Sequence, residues 1–238
     1  MATTTVVKVA VLSRAQAVAL LALLALLLWE ALELDAPMVQ MLIQNGQFPL
    51  QHHVVLESWL HDWIKPVIWG FFALLCSQWI RPWGFFVDVP RGRLAFAVLS
   101  ILFCLLVIAW LKKGSTVSCP WELREAGGLA QYVEHAWPWT TWSQADGGSG
   151  KCFPGGHASS GFAWLGLYVA LRDFDARRAR WALICALSLG TLLGTVQLLR
   201  GAHYFSHAPW TALICWYLCA ALWWFWPQKY KMPPLKTA

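Results

Sequence analysis

The chain has 238 residues, 58% of them hydrophobic and 13% charged, with a mean hydropathy of +0.50. A soluble domain carries about 25% charged residues, so this composition excludes one and indicates a single helical membrane bundle of five to seven spans. The net charge of +6 reads as cytoplasmic-loop bias and contact with lipid surfaces. No basic stripe interleaved with aromatics suggests nucleic acid.

Residues 1–14 carry Lys8 and Arg14, and an apolar run over 15–34 follows. It lacks a convincing small-residue cleavage site and further spans come after it, so a retained helix is expected rather than a signal peptide. Glu30, Glu33 and Asp35 at its far end read as interfacial carboxylates, with a cation site as the alternative. Residues 36–65 are mixed. Val55, Leu56, Trp59, Leu60 and Trp63 recur near helical spacing, which predicts a helix lying in the membrane surface ahead of the second span. His52 and His53 are a weak metal cue and read more simply as solvated loop histidines.

Further spans are expected over 66–80, 94–111, 156–171, 181–199 and 208–225. The second is short unless residues before Pro66 extend it. Six spans put both termini on one side, together with Arg81, Arg91, Arg93, Arg172, Arg177, Arg178, Arg180 and the lysines at 229, 231 and 236. The positive-inside rule makes that side the cytoplasm. Lys112, the polar loop 114–153, His157, Arg200, His203 and His207 then share the opposite face. The expected architecture is an all-α integral membrane six-helix bundle forming a single domain, with an extracytoplasmic loop carrying part of the site.

The chemistry centres on Lys151-Cys-Phe-Pro-Gly-Gly-His-Ala-Ser-Ser160, where a glycine-rich loop meets an apolar helix. Gly155 and Gly156 free the backbone so that N–H groups can turn toward an anion at a helix start. His157 at that mouth is placed to give a proton to a departing oxygen. The plain alternative is a turn with an interfacial histidine.

Lys112-x6-Cys119-Pro120, Phe153-Pro-Gly-Gly-His157 and Arg200-Gly-Ala-His203-Tyr-Phe-Ser-His207 resemble, in order, the three signatures of the type 2 phosphatidic acid phosphatase superfamily. Its members include bacterial membrane lipid phosphatases and are similar to vanadium haloperoxidases. The family pattern is K-x6-R-P, P-S-G-H and S-R-x5-H-x3-D, and the resemblance covers about residues 60–226. It implies that His203 attacks phosphorus, and that His157 protonates the leaving oxygen and then activates water. It also implies that Lys112, Arg200 and the Gly155–Gly156 backbone hold the phosphate. No Walker-type lysine loop and no clear carboxylate pair suggests a metal-ion mechanism, so no metal or other cofactor is expected.

Four departures stand against the pattern. Cys119 replaces an arginine and Gly155 a serine. Gln197 takes the position of the third signature's arginine, with Arg200 one turn later. His207 stands where the family has the aspartate that orients its nucleophile; a neutral His207 could accept the same hydrogen bond, or Glu122 or Glu125 could fold in. A register with His207 as nucleophile also remains open, as does a zinc site on the i,i+4 pair His203 and His207.

Cys119 and Cys152 are the two cysteines of the outer loop, and an oxidising compartment would let them pair. The other five, at 76, 104, 185, 215 and 219, lie in apolar runs as packing residues. Lys113, Lys151, Arg124 and the tryptophans at 121, 137, 139 and 142 suggest a rim for lipid headgroups, or interfacial anchors.

The expected function is hydrolysis of a lipid phosphate by a monomeric enzyme of the bacterial inner membrane, its site periplasmic. Undecaprenyl pyrophosphate, phosphatidylglycerol phosphate, phosphatidic acid and the lipid A 1-phosphate are all admissible substrates. A lipid-to-lipid phosphotransferase and a catalytically impaired lipid-binding or transport protein are the alternatives.

Overall fold

An apolar chain with no water to satisfy its backbone closes its hydrogen bonds within itself, and the long runs here fold accordingly as helices. The computed structural model describes residues 2–133 and 140–231. Trp137, Trp139 and Lys236 lie outside the described residues. The helices are α1 (Ala2–Ala31), α2 (Asp35–Leu42), α3 (Ile64–Ile80), α4 (Arg91–Gly114), α5 (Thr140–Ser143), α6 (Gly156–Phe162), α7 (Leu165–Leu171), α8 (Ala176–Leu199), α9 (His207–Phe225) and α10 (Gln228–Lys231). A π-helical segment, Val55–Trp63, runs directly into α3. Among the described residues, five helices are long and apolar enough to cross a membrane: Arg14–Ala31, Val55–Ile80, Arg91–Gly114, Ala176–Leu199 and His207–Phe225.

Two expectations change here. The run 156–171 is not one continuous helix; it breaks at Ala163 and Trp164 into α6 and α7. Both pieces pack on α8, where Gly161 of α6 lies against the Gly190 backbone so closely that a side chain at either would collide. Small residues at such a crossing let two backbones approach.

The residues before α3 do not form a separate surface helix. They extend α3 to 26 helical residues, the 17 of α3 alone spanning about 26 Å at 1.5 Å per residue. Pro66 cannot donate to a carbonyl and its ring crowds the one four residues back. The widened turns immediately before it accommodate that.

Polar groups separate toward the two ends of the bundle. At one end Arg178 pairs with Asp88 at 2.6 Å. Arg93, expected in a polar connector, is instead buried inside α4. It donates to the Ala170 carbonyl at 2.7 Å and to the Lys231 carbonyl, and its guanidinium lies against Phe174 and Trp223. It ties α4 to α7 and α10.

At the other end Glu30 and Asp35, expected as interfacial carboxylates, are buried and hydrogen-bonded. Glu30 accepts from the Trp210 indole at 2.8 Å. Asp35 accepts from the Trp29 indole at 3.0 Å, the Ser206 N–H at 3.2 Å and the Ser206 hydroxyl at 2.5 Å. Two carboxylates of the first helical hairpin thus hold the start of α9. Burial raises the Asp35 pKa from 3.8, against the pull of these donors.

A small second core of Val39, Phe48, Val117, Leu123, Ala130, Cys152 and Tyr204 seats the outer loop on this end. Asp146 stitches the loop, accepting from the Ser118 N–H, the Ser118 hydroxyl and the Gly148 N–H at 2.6, 2.7 and 3.0 Å.

Candidate active site

The turn from α8 to α9 carries His203 and leads into His207. Gly201 adopts φ +75°, which a residue without a side chain reaches at no steric cost. The Ala202 N–H bonds the Gln197 carbonyl at 2.8 Å and the Gly201 N–H bonds the Leu198 carbonyl at 2.9 Å. This is a Schellman ending. It reverses the chain just after Arg200, so that His203 turns back over the end of α8. One turn further, His207 opens α9.

His203 and His207 face each other with their Nδ1 atoms 3.1 Å apart. Both rings are buried, and Phe153 and Tyr204 present edges to His207 at centroid distances of 5.2 and 5.1 Å. The contact engages Nδ1 of His203 and leaves its Nε2 clear of His207. Neither Glu122 nor Glu125 takes the aspartate's place. Glu122 accepts from the Cys119 N–H at 2.9 Å and the Ser149 hydroxyl at 2.5 Å, and Glu125 is exposed. Burial, with Lys112 and His157 adding positive charge nearby, holds the His203 pKa well below 6.5. The imidazole is therefore neutral at pH 7.

His157, one residue into α6, has its buried Nε2 without a partner among the described residues. Lys112, at the end of α4, reaches over Gly156; a Cβ there would lie 3.9 Å from Lys112 Nζ. Lys112, Lys65 and Arg200 all lie within electrostatic reach of His157.

Arg200 donates from Nε to the Gln51 carbonyl at 3.0 Å and from Nη2 to Glu57 at 3.0 Å, under the Trp121 ring. Its Nη1 is buried with no partner among the described residues, as is Nε2 of Gln197. Donors buried without acceptors carry a desolvation cost of about 1–3 kcal/mol each, which an anionic acceptor would remove.

One anticipated donor is spent elsewhere. The Gly155 N–H bonds Thr211 Oγ1 at 2.9 Å, and the Thr211 hydroxyl donates to the His207 carbonyl at 2.6 Å. Gly155 therefore joins the Pro-Gly-Gly-His loop to α9, and Gly156 is left facing Lys112.

Cys119 and Cys152 form a disulfide with a Cα–Cα separation of 5.1 Å. The Cys152 sulfur lies 3.5 Å from His203 Nδ1, so the bridge ties the first two signatures to the third. Cys119, Cys152 and His203 cluster closely enough to suggest a metal site, but both sulfurs are committed to the bridge and neither is a thiolate. The other five cysteines are free.

Of the expected rim, Trp121 covers Arg200 and Trp142 packs on Phe153 at 6.0 Å. His52 is exposed, 3.4 Å from Glu57. A cavity of about 240 Å³ opens beside the site, with Lys65, Lys112 and Gly156 at its polar end and Ile68, Phe72 and Leu105 along its apolar wall.

Two residues at this site escape motif reading, Glu57 on Arg200 and His61 stacked on His157 with ring centroids 4.0 Å apart. The available signal was spacing: Glu57, His61 and Lys65 recur every fourth residue along one helix.

No curated protein and no solved structure matches the chain. A family model does match, that of the PAP2 superfamily, over residues 93–231, more than half of the sequence and all of the segment carrying the three signatures. With Lys112, His157, Arg200, His203 and His207 gathered at one end of a helical bundle, the chain belongs to the PAP2 superfamily, whose members are generally phosphatases acting on phosphate esters.

Proposed function

We propose that this protein is a six-span membrane phosphatase that hydrolyses a lipid phosphate or diphosphate through a phosphohistidine on His203. The observation that carries this reading is the buried His203–His207 pair beside unpartnered donors on His157 and Arg200. That arrangement suits an incoming phosphate better than a resting structural role.

In the first step Nε2 of neutral His203 bonds to phosphorus as the bond from phosphorus to the lipid oxygen breaks. His203 Nδ1–H donates to His207 Nδ1 throughout. The charge on the bound phosphate favours the imidazolium form of His157, which gives its proton to the leaving oxygen. The now neutral His157 takes a proton from water, whose oxygen attacks phosphorus. The P–N bond breaks, and inorganic phosphate leaves. Lys112 and Arg200 neutralise the equatorial oxygens in both steps, Arg200 exchanging Glu57 for phosphate.

The interrupted pair α6–α7 serves as the sixth crossing. The end bearing Arg93, Arg172 and Arg178 then faces the cytoplasm, and the site lies on the periplasmic side of a bacterial inner membrane. The substrate's apolar tail fits the cavity wall of α3 and α4, with its phosphate toward Lys112. Undecaprenyl pyrophosphate, phosphatidylglycerol phosphate, phosphatidic acid and lipid A 1-phosphate all have the required chemistry.

The test is phosphate release from this panel in detergent, first with no acceptor lipid and then with one added. The wild type releases inorganic phosphate and His203→Ala does not. Unchanged release by His203→Ala would remove the assigned nucleophile, and transfer only to an added lipid would make the protein a transferase.

A further inference from the structure

The general acid of a phosphoryl transfer must have its ring fixed, and a carboxylate hydrogen-bonded to the ring's other nitrogen is the usual means. No such side chain meets His157 among the described residues. The His61 imidazole lies on it instead, face to face, with centroids 4.0 Å apart and planes inclined by 28°. His61 is in turn held from behind, its Nδ1 2.7 Å from Asp62, and Asp62 is 3.6 Å from Lys65. The segment bearing it is fastened to the site a second time, one turn earlier, where Glu57 pairs with Arg200 at 3.0 Å.

We infer that His61 is a positioning residue for the phosphatase site, holding the general acid–base His157 by ring stacking. Stacking fixes the plane of the His157 ring while leaving its edge, and the buried Nε2 on that edge, free to meet substrate oxygen. It also explains why π-helical geometry at the head of α3 is tolerated. Such turns recur at functional sites, and this one carries Glu57 and His61 on the face that touches Arg200 and His157.

The inference rests on the phosphatase reading for its catalytic consequence, so the experiment has one arm that depends on turnover and one that does not. The first compares dioctanoyl phosphatidic acid, whose alkoxide leaving group needs a proton, with para-nitrophenyl phosphate, whose phenolate does not. His61→Ala is expected to lower kcat/KM, which reports the steps up to departure of the leaving group and not the later attack of water, about thirtyfold on the lipid and less than threefold on the aryl ester, and His157→Ala shows the same contrast more severely. His61→Phe, which keeps the stack, stays within about threefold of wild type on both. Equal losses on the two substrates, or no loss on the lipid, would overturn the assignment.

The second arm follows the His157 ring protons by NMR in histidine-labelled protein. Their ring-current shift disappears in His61→Ala and persists in His61→Phe. Unmoved resonances would overturn it whatever the chain hydrolyses, whereas a wild type inert on both esters with the expected shifts would refute the phosphatase reading alone.

Discussion

His203 and His207 meet Nδ1 to Nδ1 at 3.1 Å, and in the proposed mechanism His207 takes the part of an aspartate that would orient the nucleophile. On that mechanism a neutral ring accepts the hydrogen bond but brings no negative charge to support the positive one that would grow on His203 as phosphorus is attacked. His207→Ala is expected to lower kcat about a hundredfold with little change in KM, the scale of a lost proton-orienting partner. His207→Asp is expected to raise kcat about tenfold, since one pKa unit of added support amounts to about 1.4 kcal/mol. Steady-state kinetics on one lipid phosphate checks both, and an unaffected His207→Ala would refute the pairing.

Acidification provides a second check. The folded pKa of His203 is held well below 6.5 by burial and by the nearby positive groups. Below pH 6.5 the unfolded chain therefore takes up a proton that the native state refuses. Stability falls as pH drops through this window, by up to about 1.4 kcal/mol per pH unit, and this group has no effect above it. Thermal melts from pH 7.5 to 5.5 should show a steeper loss in wild type than in His203→Gln. Asp35, whose raised pKa acts in the opposite sense, is common to both proteins and drops out of the comparison. Parallel curves would contradict the assigned shift.

Thr211 links the second signature to the third, accepting from Gly155 and donating to the His207 carbonyl. In Thr211→Val the volume is kept but the buried Gly155 N–H loses its acceptor, at a cost of about 1–3 kcal/mol. A lower melting temperature is expected, with kcat reduced at least tenfold because His157 follows Gly155 in the chain. Thr211→Ser should restore both. If the valine variant melts and turns over like wild type, Thr211 is only filling space.

The disulfide between Cys119 and Cys152 spans 33 positions. By the chain-entropy relation it contributes about 3–4 kcal/mol, so replacing both cysteines with alanine should lower stability by that amount. Thiol titration of denatured, unreduced protein should find five reactive groups; seven would mean that the bridge does not form.

Much of the plan could be read from linear order. The apolar runs, the charged connectors and the three polar signatures predict a helical membrane protein with Lys112, His157, Arg200 and His203 at one end, because hydropathy and short motifs are properties of neighbouring residues. Cys119 and Cys152 were legible for the same reason, as the two thiols of one polar loop.

Three features were decided only by tertiary packing. Gly155 lost its anion-facing N–H to Thr211, 56 positions away. Glu30 and Asp35, surface carboxylates by composition, were buried against Trp210 and Ser206. His61, an interruption in an amphipathic run, was laid on His157. Sequence by itself determined which segments are apolar enough to enter a bilayer, since that depends on transfer of each segment from water. The folded arrangement decided which donors remain free for phosphate, since a hydrogen bond is claimed by whichever acceptor packing brings nearest.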